Sequence, residues 1–136
     1  PVKLVAPPWE SIYVGKESML FQESTLKVRE YYKKYNLLPE GYPHVADDSL
    51  ALEMAFMMKL AERMFDAFEK EDLDEAKSLM VGSDIFLEEH LLVWIPKFLE
   101  RMADAASDYL YPQMCLILDT FLKKDHEILC DMLREF

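Results

Sequence analysis

A chain of 136 residues with 26 acidic against 15 basic side chains, net charge -11, is poorly suited to nucleic acid, which is held by neutralising its phosphates with clustered Lys and Arg. The apolar fraction of 51%, nine Met and only three Gly suit one helical domain with a real core. Two Cys are too few for a disulfide framework and no run of 18 apolar residues offers a membrane span, so a reducing cytoplasm is the expected compartment.

Residues 1–16 hold three Pro and a Gly and read as an extended lead-in and turn. Within them PPWESIY, Pro7 to Tyr13, sets a Trp beside rigid prolines, a way of holding an indole at a helix entrance within reach of a partner. Ser24 is placed to cap a helix running through Tyr35, with Val28, Tyr31, Tyr32 and Tyr35 on one stripe. Pro39, Gly41 and Pro43 make Leu37 to Ala46 a loop.

Asp47 or Asp48 is the expected cap of the clearest helix, in which Leu50, Met54, Met57, Ala61, Met64, Phe65 and Phe68 recur at three- and four-residue steps until about Lys70. Met54, Met57, Met58 and Met64 crowd this helix and read first as core. Asp72 starts another helix to about Leu91, in which Gly82 is a weak point costing about 1 kcal/mol against Ala. Pro96 suits the first turn of a further helix through Ala106, within the second Trp-Pro segment, HLLVWIPKFLERM from His90 to Met102. Ser107 or Asp108 opens a helix that carries Pro112 and ends at Lys124, and Asp125 caps a last one from His126. No alternating strand pattern or repeat is found, so the expected class is all-α in a single domain, 1–136. The first residue is Pro and a helical pattern runs uncapped to Phe136, so the chain reads as a fragment of a longer one.

Chemistry is sparse. His126, Glu127 and Cys130 form H-E-x-x-C, which places His126 and Cys130 on one helix face, but no third ligand is apparent in the sequence and no metal site is expected. There is no Gly-rich phosphate loop and no G-x-S-x-G elbow. The adjacent pairs Asp47-Asp48 and Glu88-Glu89 point about 100° apart on a helix and make poor acid/base dyads, so no enzyme and no cofactor are expected. His90 is placed at a helix end, where the dipole favours its cationic form. The stretch from Asp47 to Glu89 carries 13 acidic and 4 basic residues, a net of -9 that would steer a cationic ligand.

Three blocks taken together are specific. PPWESIY, then DDSLALEMAFM at Asp47 to Met57, then FLEEHLLVWIPKFLERM at Phe86 to Met102 resemble, in order and spacing, the TorD/DmsD family of redox-enzyme maturation chaperones. The resemblance covers essentially the whole chain. It implies an all-helical cytoplasmic protein, with further helices ahead of the PPWES segment, that binds the twin-arginine signal peptide of a molybdopterin oxidoreductase and delays export until the cofactor is inserted. By the matching positions, the peptide-binding residues it implies are Trp9, Glu10, Ser11 and Tyr13 in the first block, Asp48, Ser49 and Glu53 in the second, and His90, Trp94 and Pro96 in the third.

The family's second block commonly reads D-H-I, and here Ser49 stands where the His would be. A hydroxyl can cap a helix or accept a hydrogen bond but carries no positive charge, which leaves Asp48 as the residue expected to meet the peptide's Arg pair. Trp9, Tyr13 and Trp94 are expected to receive the apolar half of the leader. Two other readings stay open: an assembly factor that clasps the catalytic subunit rather than its leader, and a nucleotide- or cofactor-handling enzyme. The oligomeric state and the oxidoreductase served are not legible in the residues.

Overall fold

The computed structural model describes residues 5–15, 23–105 and 110–136 of the protein. They form a single-turn helix α1, Ser11–Val14, then α2, Glu23–Lys34, α3, Leu50–Glu69, and α4, Leu73–Phe86. The chain continues through a π turn, Leu87–Leu91, into α5, Leu92–Ala105, and after the next described segment into α6, Leu110–Arg134. The all-α expectation holds: among the described residues the sole β feature is an isolated antiparallel bridge between Trp9 and Ser49. No helix of the described residues is long and apolar enough to cross a membrane.

Helix α2 begins close to the expected Ser24 and buries Val28 and Tyr32, with Tyr31 and Tyr35 packed at the core margin. Its end is closed by Asn36 in the left-handed region at φ 55°, with Leu37 N–H donating to the Tyr32 carbonyl at 2.8 Å. That pattern satisfies carbonyls the helix leaves open, and Asn is among the few residues that tolerate it. The 37–46 loop follows as expected, turning at Gly41 with φ 89°.

The cap of α3 is neither aspartate: Ser49 accepts from Leu52 N–H at 3.3 Å, and Asp47 and Asp48 are both completely buried. The aspartates face inward because other segments supply donors to them, and the shorter Ser side chain at the boundary takes the cap. Along α3, Phe56, Met57 and Leu60 enter the core, whereas Met58 and Phe65 stand exposed. Asp72 caps α4 as expected, accepting from Glu75 N–H at 3.1 Å.

The expected break near Leu91 is absent. Phe86, His90, Trp94 and Phe98, with Leu87, Leu91 and Ile95, are all buried, at steps of four residues. In an unbroken α-helix each four-residue step overshoots a full turn by about 40°, so such a stripe would wind off the core within a few turns. The i→i+5 bonding of the π turn takes up the surplus residue and keeps the whole stripe facing inward. Pro96 therefore lies inside α5 rather than in a first turn, on its exposed face. The expected end at Ala106 and start at Ser107 or Asp108 lie outside the described residues. Asp125 caps nothing: α6 runs through it, because Leu118, Leu122, Leu129 and Leu133 continue one stripe past it.

Gly82 is no weak point but a contact. A Cβ there would lie 1.7 Å from the Tyr35 hydroxyl oxygen and 2.6 Å from its Cζ, so α4 needs Gly for Tyr35 to cross it. Tyr35 in turn stacks edge-on against Phe56 at 5.7 Å. Gly82→Ala is expected to lower stability by about 1–3 kcal/mol through overpacking. In a Tyr35→Ala background the same change should become neutral or stabilising by up to about 1 kcal/mol, the helix-propensity gain alone. Urea denaturation of the four-variant cycle measures both.

Candidate functional site

The three sequence blocks converge on one buried polar locus. Residues 8–10 lie alongside 48–50 by backbone hydrogen bonds: Glu10 N–H donates to the Asp48 carbonyl at 2.9 Å and Leu50 N–H to the Pro8 carbonyl at 3.0 Å. The Asp48 carboxylate accepts from Ser11 N–H at 2.7 Å and the Thr25 hydroxyl at 3.1 Å. Asp47 pairs with the Arg29 guanidinium, and the Tyr32 hydroxyl donates to the Asp47 carbonyl at 2.8 Å. The third block arrives through the π turn. His90 Nδ1 lies 2.9 and 3.1 Å from the two Glu10 oxygens, and Trp94 Nε1–H donates to Glu53 at 3.0 Å.

Glu10, Asp47, Asp48 and Glu53 are thus four acidic side chains taken out of water in one place. Burial, then the charge of Glu10 and a shared hydrogen bond with it, push Glu53 well above the ordinary carboxyl range against the opposing pull of Trp94. Glu53 Oε1 has no donor of its own, which suits a proton held there and given to Glu10. The Tyr32 hydroxyl is driven up first by burial and then by the acidic groups around it, so it stays a neutral donor.

On the solvent side of this locus lies a cleft of about 890 Å³. Among the described residues its walls carry Glu10, Glu23, Glu30 and Glu89 against a single Lys27, with Ser24 and His90 behind and Val14, Tyr31 and Val93 as the apolar edge. Tyr31 donates to Glu89 at 2.7 Å, and burial followed by Glu89 raises its hydroxyl. His90 Nε2 and Ser24 Oγ are both buried without a partner among the described residues. Unpaired buried polar atoms at a cleft wall are where a ligand's donors and acceptors are missed most.

These positions correct the expected site. Trp94 is fully buried, stacked on Tyr13 at 5.6 Å, so it is packing and no docking indole. Asp48 and Glu53 are wholly enclosed, and in this arrangement no peptide Arg reaches Asp48. Ser49 is occupied as the α3 cap, and Ser11 is buried beside Asp48. His90 sits within the π turn and not at a helix end, its orientation set by Glu10. Trp9 and Tyr13 are half-buried, and Pro96 is exposed away from the cleft lining. Sequence reasoning missed Glu23, Glu30, Tyr31 and Glu89 as cleft residues, and Thr25 and Arg29 as organisers. Arg29, the lone Arg between Lys27 and Lys33, was the available signal, since Arg suits buried carboxylates better than Lys.

Comparison with known proteins accords with this convergence. The family model described as nitrate reductase delta subunit matches residues 1–100. The chain belongs to that family. It is 29% identical over 124 residues to the chaperone protein TorD of Vibrio atlanticus (strain LGP32), covering 91% of this chain and 56% of that protein. It is 28% identical over 127 residues to the chaperone protein TorD of Aliivibrio fischeri, covering 93% and 58%. It is 25% identical over 117 residues to the probable Tat proofreading chaperone DmsD of Haemophilus influenzae, covering 86% and 50%. The chain therefore spans about half the length of the curated relatives it matches. No solved structure matches it.

Glu53 gives the locus a pH signature. Between the ordinary carboxyl value near 4.5 and its raised native value, the folded chain holds a proton the unfolded chain has lost, so this group's contribution to stability falls as pH rises through that window. Glu53→Gln has no such proton to lose, and its amide keeps an acceptor for Trp94 and a donor for Glu10. It is expected to raise the melting temperature by about 2–6 °C near pH 8 and by less near pH 5, read by circular dichroism. An equal loss at both pH values would show the carboxyl to be ionised in the fold.

Proposed function

We propose that this protein is a cytoplasmic maturation chaperone without catalytic activity, which binds the twin-arginine leader of a molybdopterin oxidoreductase and holds back its export. The observation that carries the reading is the acidic cleft, built where the three family blocks meet and carrying, among the described residues, four carboxylates against one lysine. Such a leader has a basic stretch followed by an apolar one. The basic stretch is matched by Glu23, Glu30 and Glu89 on the rim, with Glu10 and the free His90 nitrogen behind them. The apolar stretch is matched by Val14, Tyr31 and Val93 along the same wall. The names of the relatives, chaperone protein TorD and Tat proofreading chaperone DmsD, support the same class of activity.

Exposed charge pairs contribute about 0–1 kcal/mol each, whereas apolar burial contributes roughly 25 cal/mol per Å². Charge then sets register and on-rate, and the apolar stretch supplies most of the affinity. Calorimetry with a leader peptide is the test. Glu30→Lys with Glu89→Lys is expected to weaken binding roughly ten-fold and to remove most of its salt dependence. The same charge change at Glu62 and Asp74, far along the surface, should leave binding within about two-fold. Shortening the apolar stretch should cost more than replacing the Arg pair. Equal binding by a scrambled, non-basic peptide would refute the cleft as a leader site.

A second reading is an assembly factor that clasps the catalytic subunit itself. What favours it is the outer face of α6, where Met114, Ile117, Phe121 and Ile128 are each about half exposed or more and lie at three-, four- and seven-residue steps. Crosslinking to a leaderless subunit separates the two readings.

A further inference from the structure

We propose that Asp84, His126 and Cys130 form a binding site for a single divalent transition metal, zinc by the donor set, with Glu88 as the outer partner of the histidine. The sequence offered H-E-x-x-C and no third ligand; the fold supplies it from another helix. Asp84 on α4 lies beside His126 and Cys130 on α6, and one ligand atom from each lies within 4.8 Å of the others.

The distances are those of a site one small adjustment from closure. Asp84 Oδ1 is 2.8 Å from His126 Nδ1 and 3.7 Å from Cys130 Sγ, and Sγ is 3.9 Å from Nδ1. With metal–ligand bonds of about 2.0–2.3 Å at tetrahedral angles, zinc ligand atoms stand about 3.3–3.6 Å apart. The O···N contact is the one that would have to open, by about 0.5–0.8 Å, to admit an ion. The other ring nitrogen, Nε2, lies 3.6 Å from Glu88 Oε1, four residues after Asp84. A carboxylate on the far nitrogen is what orients a metal-bound histidine and fixes its tautomer. Thiolate, imidazole and carboxylate together suit zinc better than magnesium or calcium, which prefer oxygen alone.

All three ligand side chains are partly exposed, so an ion can enter and a water can complete the shell. The site would tie α6 to α4 and shares no residue with the lining of the acidic cleft, so it stands independently of the leader reading.

The test uses the whole untagged chain titrated with cobalt(II) and zinc(II). One equivalent of cobalt is expected to give a thiolate-to-metal charge-transfer band and the intense visible bands of a tetrahedral centre, both discharged by zinc. Cys130→Ser should abolish the thiolate band, and Asp84→Asn or His126→Gln should weaken binding at least ten-fold. Cys115→Ser should leave the spectrum unchanged, and Glu88→Gln should weaken binding about ten-fold while preserving it. Zinc should also raise the melting temperature of the parent chain and not that of Cys130→Ser. No thiolate band in the parent chain, or a band that Cys115→Ser removes and Cys130→Ser does not, would overturn the site.

Discussion

Four acidic side chains buried together are the constraint on which the rest of this structure is arranged. A carboxylate withdrawn from water costs several kcal/mol unless donors surround it. Here the donors come from far along the chain: Ser11 N–H and Thr25 for Asp48, Arg29 for Asp47, His90 for Glu10 and Trp94 for Glu53. Each partnership closes a large loop, so α1, α2, the entrance to α3 and the π turn must all meet. The motif residues are therefore first of all one another's partners, and the cleft is what their meeting leaves open on its solvent side.

That arrangement explains how chemistry is divided between inside and rim. The residues that family resemblance singles out most strongly, Asp48, Glu53 and Trp94, are the most enclosed. Those that face the cleft, Glu23, Glu30 and Glu89, are ordinary surface glutamates in isolation. In the proposed leader complex the inner set acts by position: it fixes Glu10 and His90 at the back of the cleft, and Tyr31, bonded to Glu89, marks its apolar wall.

Much of the helical framework was legible because its signals are local. The α2 stripe, the Pro- and Gly-bearing loop at 37–46 and the Asp72 cap each depend on residues within a turn or two. The boundaries failed where a local signal was captured by something distant. Asp47 and Asp48 have the chemistry of a cap but were drawn inward by Arg29, Thr25 and the backbone of α1, and Asp125 lies on a stripe that continues past it. Gly82 looked like a flaw because the Tyr35 ring that requires it comes from another helix. The indole of Trp94 looked like a docking group because nothing in the local sequence reveals that Glu53 and Tyr13 would enclose it. The cleft itself was invisible for the same reason, being a product of assembly.

The π turn sets a length as well as a direction. Removing one residue between Phe86 and Trp94 would let this stretch close as a regular helix, and because seven steps of about 100° nearly complete two turns, the residues downstream would keep their faces to within about 20°. The indole would stay close to its Glu53 acceptor and Pro96 would stay outside, but the widened turn that carries the imidazole would be gone, and with it the present register of His90 with Glu10. A homologous chain one residue shorter here could therefore build the same downstream stripe, whereas the extra residue belongs to the turn that sets the imidazole at the back of the cleft.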